Sequence, residues 1–189
     1  PIEEVLTIGY RESVKQAVQQ QRDAGGIINV LKKDDMGKLQ DDSVSDALQR
    51  MPGLSVERDQ GEGRFIRIRG LAPDLNSVSY NGTSLAAPEA GRRAVALDVI
   101  PSDLLESVVV SKTLTPDIPA GSLGGNIELK SMTAFDREGA FYSLSSELGY
   151  NAQASETNPK FSAVASNTFD IGDKQDSLGI AIAGSYQDR

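Results

Sequence analysis

The sequence predicts an α+β fold: a small domain of short strands and helices, followed by antiparallel β-strands. Over residues 25–133, short apolar runs bounded by Gly, Pro and Asn are interspersed with helix signals. From residue 140 the pattern changes to long apolar–polar alternation with no helix signal. No run of about 18 apolar residues exists, so no membrane-crossing helix is expected. The alternating segments leave a membrane barrel open, because barrel strands carry only a weak period-2 signal.

Residues 1–24 are polar and begin with a β-like string, Glu3-Glu4-Val5-Leu6-Thr7-Ile8-Gly9. Ser13-Val14-Lys15-Gln16 fits a capping box, in which the Ser hydroxyl and the Gln amide satisfy each other's free backbone N–H groups. A solvated helix with the narrow stripe Val14, Ala17 and Val18 then runs to Arg22.

Ile27, Ile28, Val30 and Leu31 suggest a buried strand. Ser43-Val44-Ser45-Asp46 opens a second helix, whose Val44, Ala47, Leu48 and Met51 fall on one face. Pro52-Gly53 ends it. Leu54-Ser55-Val56 starts a strand and Gln60-Gly61-Glu62-Gly63 turns it.

Arg64-Phe65-Ile66-Arg67-Ile68-Arg69-Gly70 follows as a strand, with Arg67 and Arg69 expected on one face and Ile66 and Ile68 on the other. Ser77-Val78-Ser79-Tyr80 precedes Asn81-Gly82, a tight hairpin signal. Pro101 is expected to begin a one-turn helix. Val108-Val109-Val110 and Ile127-Glu128-Leu129-Lys130 are further strands, with Gly121, Gly124 and Gly125 in the loop between them.

Three alternating segments complete the chain. Tyr142, Leu144, Leu148 and Tyr150 define the first; Phe161, Ala163, Ala165, Phe169 and Ile171 the second; Leu178, Ile180, Ile182 and Tyr186 the third. Asn158-Pro159 and Gly172-Asp173 are expected to separate them. Each is about the 9–11 residues that a tilted strand needs to cross a bilayer. The same alternation suits a soluble antiparallel meander. Three strands cannot close a barrel, since the smallest classes need about eight.

Composition removes several function classes. Nineteen Lys and Arg face 27 Asp and Glu, a formal charge of −8, which opposes general affinity for nucleic acid. The absence of Cys and His rules out disulfides, thiolate metal sites and catalysis that needs an imidazole base. No metal site, cofactor or catalytic set is expected. Carboxylates such as Asp34, Asp35, Asp41 and Asp42 cluster at helix starts, where capping explains them better than the paired acid–base work of a glycosidase. Ala120-Gly121-Ser122-Leu123-Gly124-Gly125 lacks the Lys-Ser/Thr pair of a phosphate loop. No leader pattern stands at Pro1, so a leader is expected to have been removed, or the chain to start within a mature protein.

Asp42–Gly82, with its run Val44-Ser45-Asp46-Ala47-Leu48-Gln49-Arg50-Met51-Pro52-Gly53-Leu54-Ser55-Val56, then Arg67-Ile68-Arg69-Gly70 and Tyr80-Asn81-Gly82, resembles the plug of a TonB-dependent receptor. Ile100-Pro101, Ser107-Val108-Val109-Val110 and Gly124-Gly125-Asn126-Ile127 resemble the second half of that plug. The resemblance runs over about residues 27–131 in the family's order. The strings Arg58–Phe65 and Gly91–Val99 resemble a large subfamily associated with carbohydrate or complex organic substrates.

The resemblance implies a plug domain with a mixed β-sheet and short helices, followed by antiparallel strands of an incomplete transmembrane barrel. It divides the chain into an N-terminal segment, residues 1–24, a plug, 25–135, and about three first barrel strands, 136–189. It also implies a bacterial outer-membrane location with the plug facing the periplasm, in a parent barrel of about 22 strands.

The function implied is import of a polar small molecule or oligosaccharide, driven by the proton-motive force through TonB with ExbB–ExbD. The handle that TonB grips resembles Glu3, Glu4, Val5, Leu6, Thr7 and Ile8, an extended segment suited to adding a strand to a partner's sheet. By position, apical loops at Glu57–Arg64 and Thr83–Arg93 offer Arg58, Asp59, Gln60, Glu62, Glu89, Arg92 and Arg93 to substrate. Arg67 and Arg69 are expected to face carboxylates of the barrel wall, where the guanidinium fork favours bidentate pairs. The competing reading is a free periplasmic binding or signalling module, which gives no reason for three long alternating strands.

Overall fold

In a computed structural model of the protein, the described residues are 2–33, 43–59, 61–100, 102, 105–136, 139–151, 156–171 and 174–187. Contacts divide the chain into two compact units, Pro1–Ser131 and Met132–Arg189.

The first unit starts with helix α1, Ile2–Asp23. The β-like reading of Glu3–Gly9 is thereby corrected: these residues form the first turns of a continuous helix. Glu, Leu, Arg, Lys, Gln and Ala dominate the segment, and all are strong helix formers whose sum outweighs a short apolar string. Ser13 is consequently mid-helix and buried rather than an N-cap. Ala17 packs with Val30, Val109 and Ile28, so α1 lies on strands β1, Ile28–Lys32, and β6, Leu105–Ser111.

Helix α2, Val44–Gln49, is capped by Ser43, whose hydroxyl accepts from the Asp46 backbone N–H. Its expected apolar face is its buried face: Val44, Ala47 and Leu48 are fully buried and Met51 nearly so. Strands β2, Leu54–Asp59, and β3, Glu62–Ile68, pair as a hairpin with a bulge between Glu57 and Arg58. The expected strand over Arg64–Gly70 lies two residues earlier: Glu62 and Gly63, read as part of the turn, begin it, and Arg69 at φ +54 and Gly70 at φ +77 end the ladder at Ile68.

β4, Asn76–Tyr80, turns into β5, Thr83–Ser84, through Asn81 and Gly82. Both have positive φ, 48 and 79, the geometry of a tight primed hairpin that Asn-Gly supplies at low cost. β7, Gly125–Ser131, lies antiparallel to β6 and parallel to β4, giving a mixed sheet in the order β1-β6-β7-β4-β5. Pro101 lies outside the described residues.

Period-2 alternation gives this sheet two unlike faces. Val78, Val108, Val110, Ile127 and Leu129 join Val44, Leu48, Ile66, Ile68 and Leu97 in one core, between the sheet and a layer made of α2 and the β2–β3 hairpin. Ser77, Ser79, Asn126 and Glu128 occupy the opposite face. Asn76 stitches the two layers by donating its side-chain amide to the Ile66 carbonyl at 2.8 Å. Leu48 is 0% exposed at the centre of this core. Leu48→Ala should therefore destabilise the unit by roughly 2–5 kcal/mol. An earlier onset of proteolysis or a lower melting point would register it; an unchanged melting point would contradict this core assignment.

The second unit is a three-stranded antiparallel sheet in the order β10-β9-β8, made of β8, Phe141–Asn151, β9, Glu156–Ile171, and β10, Lys174–Gln187. The expected turn at Asn158-Pro159 is corrected, since both residues lie within β9, paired with Gly149 and Leu148. Gly172-Asp173 lies outside the described residues. At 16 and 14 residues, β9 and β10 exceed the expected span.

Register fixes the faces of this sheet. Tyr142 pairs with Ala165, Leu144 with Ala163, Ala165 with Ile182, and Phe161 with Tyr186. One face therefore carries Tyr142, Leu144, Leu148, Phe161, Ile182 and Tyr186, all exposed, with Leu144 at 87% and Ile182 at 69%. Ser143, Ser145, Ser162, Ser166 and Ser185 share the other face, where the Ser145 and Ser162 hydroxyls hydrogen-bond at 2.6 Å. An apolar sheet face left uncovered by protein is the pattern of a strand set that meets lipid. Among the described residues, no helix is long and apolar enough to cross a membrane.

Candidate functional site

The residues expected to meet substrate fall on the β2–β3 hairpin and on the irregular segment 85–97. Much of this segment runs beside β3, tied to it where Leu97 N–H donates to the Arg64 carbonyl at 2.9 Å. Phe65, 4% exposed, packs with Ala94 and Ala96 and fastens the two together. Guanidinium groups of Arg64 and Arg92 lie over its ring at 5.1 and 4.7 Å, within cation–π range.

Arg64 is the hub of the charges on this surface. It pairs with Asp59 at 2.8 Å, Glu89 at 3.1 Å and Asp98 at 3.9 Å, its own side chain being 28% exposed. Asp74 is the second organising residue. Its carboxylate takes two bonds from Arg92, at 3.4 and 3.0 Å. It also accepts the backbone N–H groups of Arg93 at 2.9 Å and Ala94 at 3.2 Å. These bonds, the Arg92 side chain foremost, hold the Asp74 carboxyl down at about 2, below the usual carboxylate range. Asp74 thus converts a flexible loop into a positioned one.

Fixed at its backbone by Asp74, Arg93 is exposed, and its guanidinium lies against Gly121, where a Cβ would sit 2.1 Å from Nη2. A side chain at position 121 would displace it. Arg58, by contrast, reaches back to α2, donating to Gln49 at 3.1 Å and Asp46 at 3.3 Å, and to the Gly61 carbonyl at 3.1 Å. It braces the hairpin. Asp59 and Glu89 are engaged by Arg64, and Glu62 stands at the hairpin tip. Gln60 lies outside the described residues.

Arg67 and Arg69 do not share a face. Arg67 pairs across the hairpin with Glu57, through Nε at 3.1 Å and Nη2 at 3.0 Å. Arg69 lies past the strand end, and its Nη2 donates to the Gly124 carbonyl at 3.0 Å. Lys112 is buried nearby and donates to the Pro52 carbonyl. Burial, then the charge of Arg69, lowers its pKa. Glu3–Ile8 form the first turns of α1.

Sequence reasoning misses Asp74, Arg64 and Lys112 as organising residues. Asp74 carried one usable signal, its place after Pro73 in a short turn, where a carboxylate commonly accepts backbone N–H groups. Nothing local marks Arg64, whose partners come from three separate stretches of chain. Among the described residues, no group of His, Cys, Asp and Glu could hold a metal ion.

The chain is similar to the ferric enterobactin receptor PfeA of Pseudomonas aeruginosa at 17% identity, covering 90% of this chain and 25% of that one, with TM-score 0.67. It is similar to the siderophore receptor PirA of Acinetobacter baumannii at 19% identity, covering 89% and 25%, with TM-score 0.66. The unliganded ferric citrate transporter FecA matches at 19% identity, covering 89% and 26%, with TM-score 0.67. At these identities the likeness establishes the fold, a plug with part of a barrel. The chain spans about a quarter of the length of these solved structures. No curated protein matches it. The family model for the TonB-dependent Receptor Plug Domain matches residues 20–126, more than half of the chain. The chain therefore belongs to the TonB-dependent receptor plug family, whose members are outer-membrane receptors and transporters rather than enzymes.

Proposed function

We propose that this chain is the gate and the first three barrel strands of an energised importer in the outer membrane of a Gram-negative bacterium. Its cargo is a polar nutrient, such as a siderophore, a carbohydrate or a similar compound, and its gate faces the periplasm. The observation that carries this reading is the two-faced sheet of β8–β10 directly after a plug-family unit: exposed Tyr, Leu, Phe and Ile on one side, serines on the other. A soluble module has no use for that apolar face. The similar structures are receptors for ferric enterobactin and ferric citrate, which supports a metal chelate among the candidate substrates.

In this reading the outer surface built by Asp74, Arg64 and Phe65 presents Arg93, Glu62 and the loop backbone to ligand. Arg67 and Arg69 brace the plug for contact with the barrel wall. TonB, powered through ExbB–ExbD, grips Glu3–Ile8. Because these residues are helical at rest, strand addition to TonB requires this part of α1 to unwind first. Deleting residues 3–8 from the intact receptor should abolish energised uptake while leaving ligand affinity unchanged. Uptake that survives the deletion would remove TonB's grip from this segment.

A further inference from the structure

The sheet face turned away from the core is only partly covered. α1 rests on the β1–β6 end through Ala17, Val30 and Val109. Over β6, β7 and β4 a pocket of about 400 Å³ stays open, roofed by the 115–119 loop. That volume falls within the range of small-molecule sites, about 300–1,000 Å³.

Its floor is a set of linked hydroxyl, carboxamide and carboxylate groups. Ser77 donates to Asn126 Oδ1 at 2.6 Å and shares a hydrogen bond with Ser122 at 2.5 Å. Glu128 accepts from the Gly82 N–H at 2.7 Å and from the Ser79 hydroxyl. Such a network holds its donors and acceptors in fixed directions without the ligand. Charge narrows the choice of occupant. Asp117 and Glu128 carry two negative charges against one from Lys130, which disfavours an anion. Both carboxylates already have partners: Glu128 those above, and Asp117 the Thr115 hydroxyl. Their remaining lone pairs suit hydroxyl donors more than a full cation. Among the described residues no aromatic side chain lines the pocket, so there is no ring face there to stack on, and weak affinity is expected.

We infer that this pocket is a weak binding site for a neutral, polyhydroxylated small molecule about the size of a mono- or disaccharide. It is separate from the surface around Asp74 and Arg64. That it serves as a second stop for cargo rests on the importer reading; that it binds such a molecule does not.

The chain has no cysteine. Ser84 lines the pocket and is exposed, so Ser84→Cys places a single thiol of this chain at its edge. Maleimide labelling of that thiol in the purified intact receptor, against the unsubstituted receptor as background, reads occupancy. With maltose as probe, labelling should slow about tenfold when maltose reaches some ten times its Kd, a Kd of about millimolar order. Ser55→Cys, exposed on β2 and outside the pocket, should be unaffected. Ser77→Ala combined with Asn126→Ala should remove the protection, and Lys130→Gln at the exposed edge should weaken it without touching the core. Equal slowing at Ser55, no slowing at Ser84, protection by choline but not maltose, or protection that survives both variants would overturn the site. No energised uptake enters this measurement, so its failure would leave the importer reading standing.

Discussion

Gly125→Val is expected to leave the plug unfolded in an otherwise inserted receptor. Gly125 has φ +151, and a Cβ there would lie 2.6 Å from the Ser111 carbonyl oxygen and 3.0 Å from Ile68 Cδ1. The first obstacle is backbone and the second belongs to a fully buried side chain, so neither yields cheaply. β7 is also flanked by β6 and β4, and a shift at its start would propagate to both ladders. Overpacking costs about 1–3 kcal/mol and a forced backbone a further 1–3 or so, which together approach the whole stability of a marginal domain. Protease treatment of outer membranes provides the check, with rapid loss of the plug expected. Wild-type resistance would show that this close approach is not needed. Gly61→Ala is the matched control, since Gly61 has positive φ but open space around it, and it should cost far less.

Asp74→Ala is expected to lower ligand affinity about tenfold or more, because the cost of ordering the 88–97 segment then falls on binding. Four hydrogen bonds to Arg92, Arg93 and Ala94 disappear together. Asp74→Asn keeps an acceptor but loses the charge, and should fall between wild type and alanine. The pH dependence has a defined sign. The folded carboxyl sits at about 2 against an ordinary 3.8, so its contribution is complete above about pH 4 and is lost as pH falls toward 2. Binding across that window should weaken more steeply in the wild type than in the alanine variant. Unchanged affinity in Asp74→Ala would detach this loop from substrate recognition.

The sequence disclosed what short-range physics decides. The apolar face of α2 follows from helical spacing, the β4–β5 turn from the backbone freedom of Asn81-Gly82, and the two faces of β8–β10 from strict alternation. Sequence reading failed where distant partners decide. Glu3–Ile8 looks β-like over six residues, yet a helix of 22 residues sets their state. Pro159 looks like a turn residue, yet its pairing with Leu148 of β8 keeps it inside β9. Arg58, Arg64 and Arg67 are alike on paper; long-range geometry makes one a brace to α2, one a hub and one a cross-strand partner. Lys112 gave no local sign that it would be buried.

The strand order of the first unit has a kinetic consequence. Ile28 at the start of β1 pairs with Ser111, and β4 pairs in parallel with β7. The earliest strand to emerge in synthesis or export therefore waits roughly 80 residues for its partner, a high contact order that slows folding. Until β6 arrives β1 lacks its partner, and until β7 arrives β4 is paired on the β5 side only, so both are prone to pair with other chains. The unit's first strand is thus among the last of its elements to find a partner, which lengthens the time in which the growing chain is open to wrong pairings.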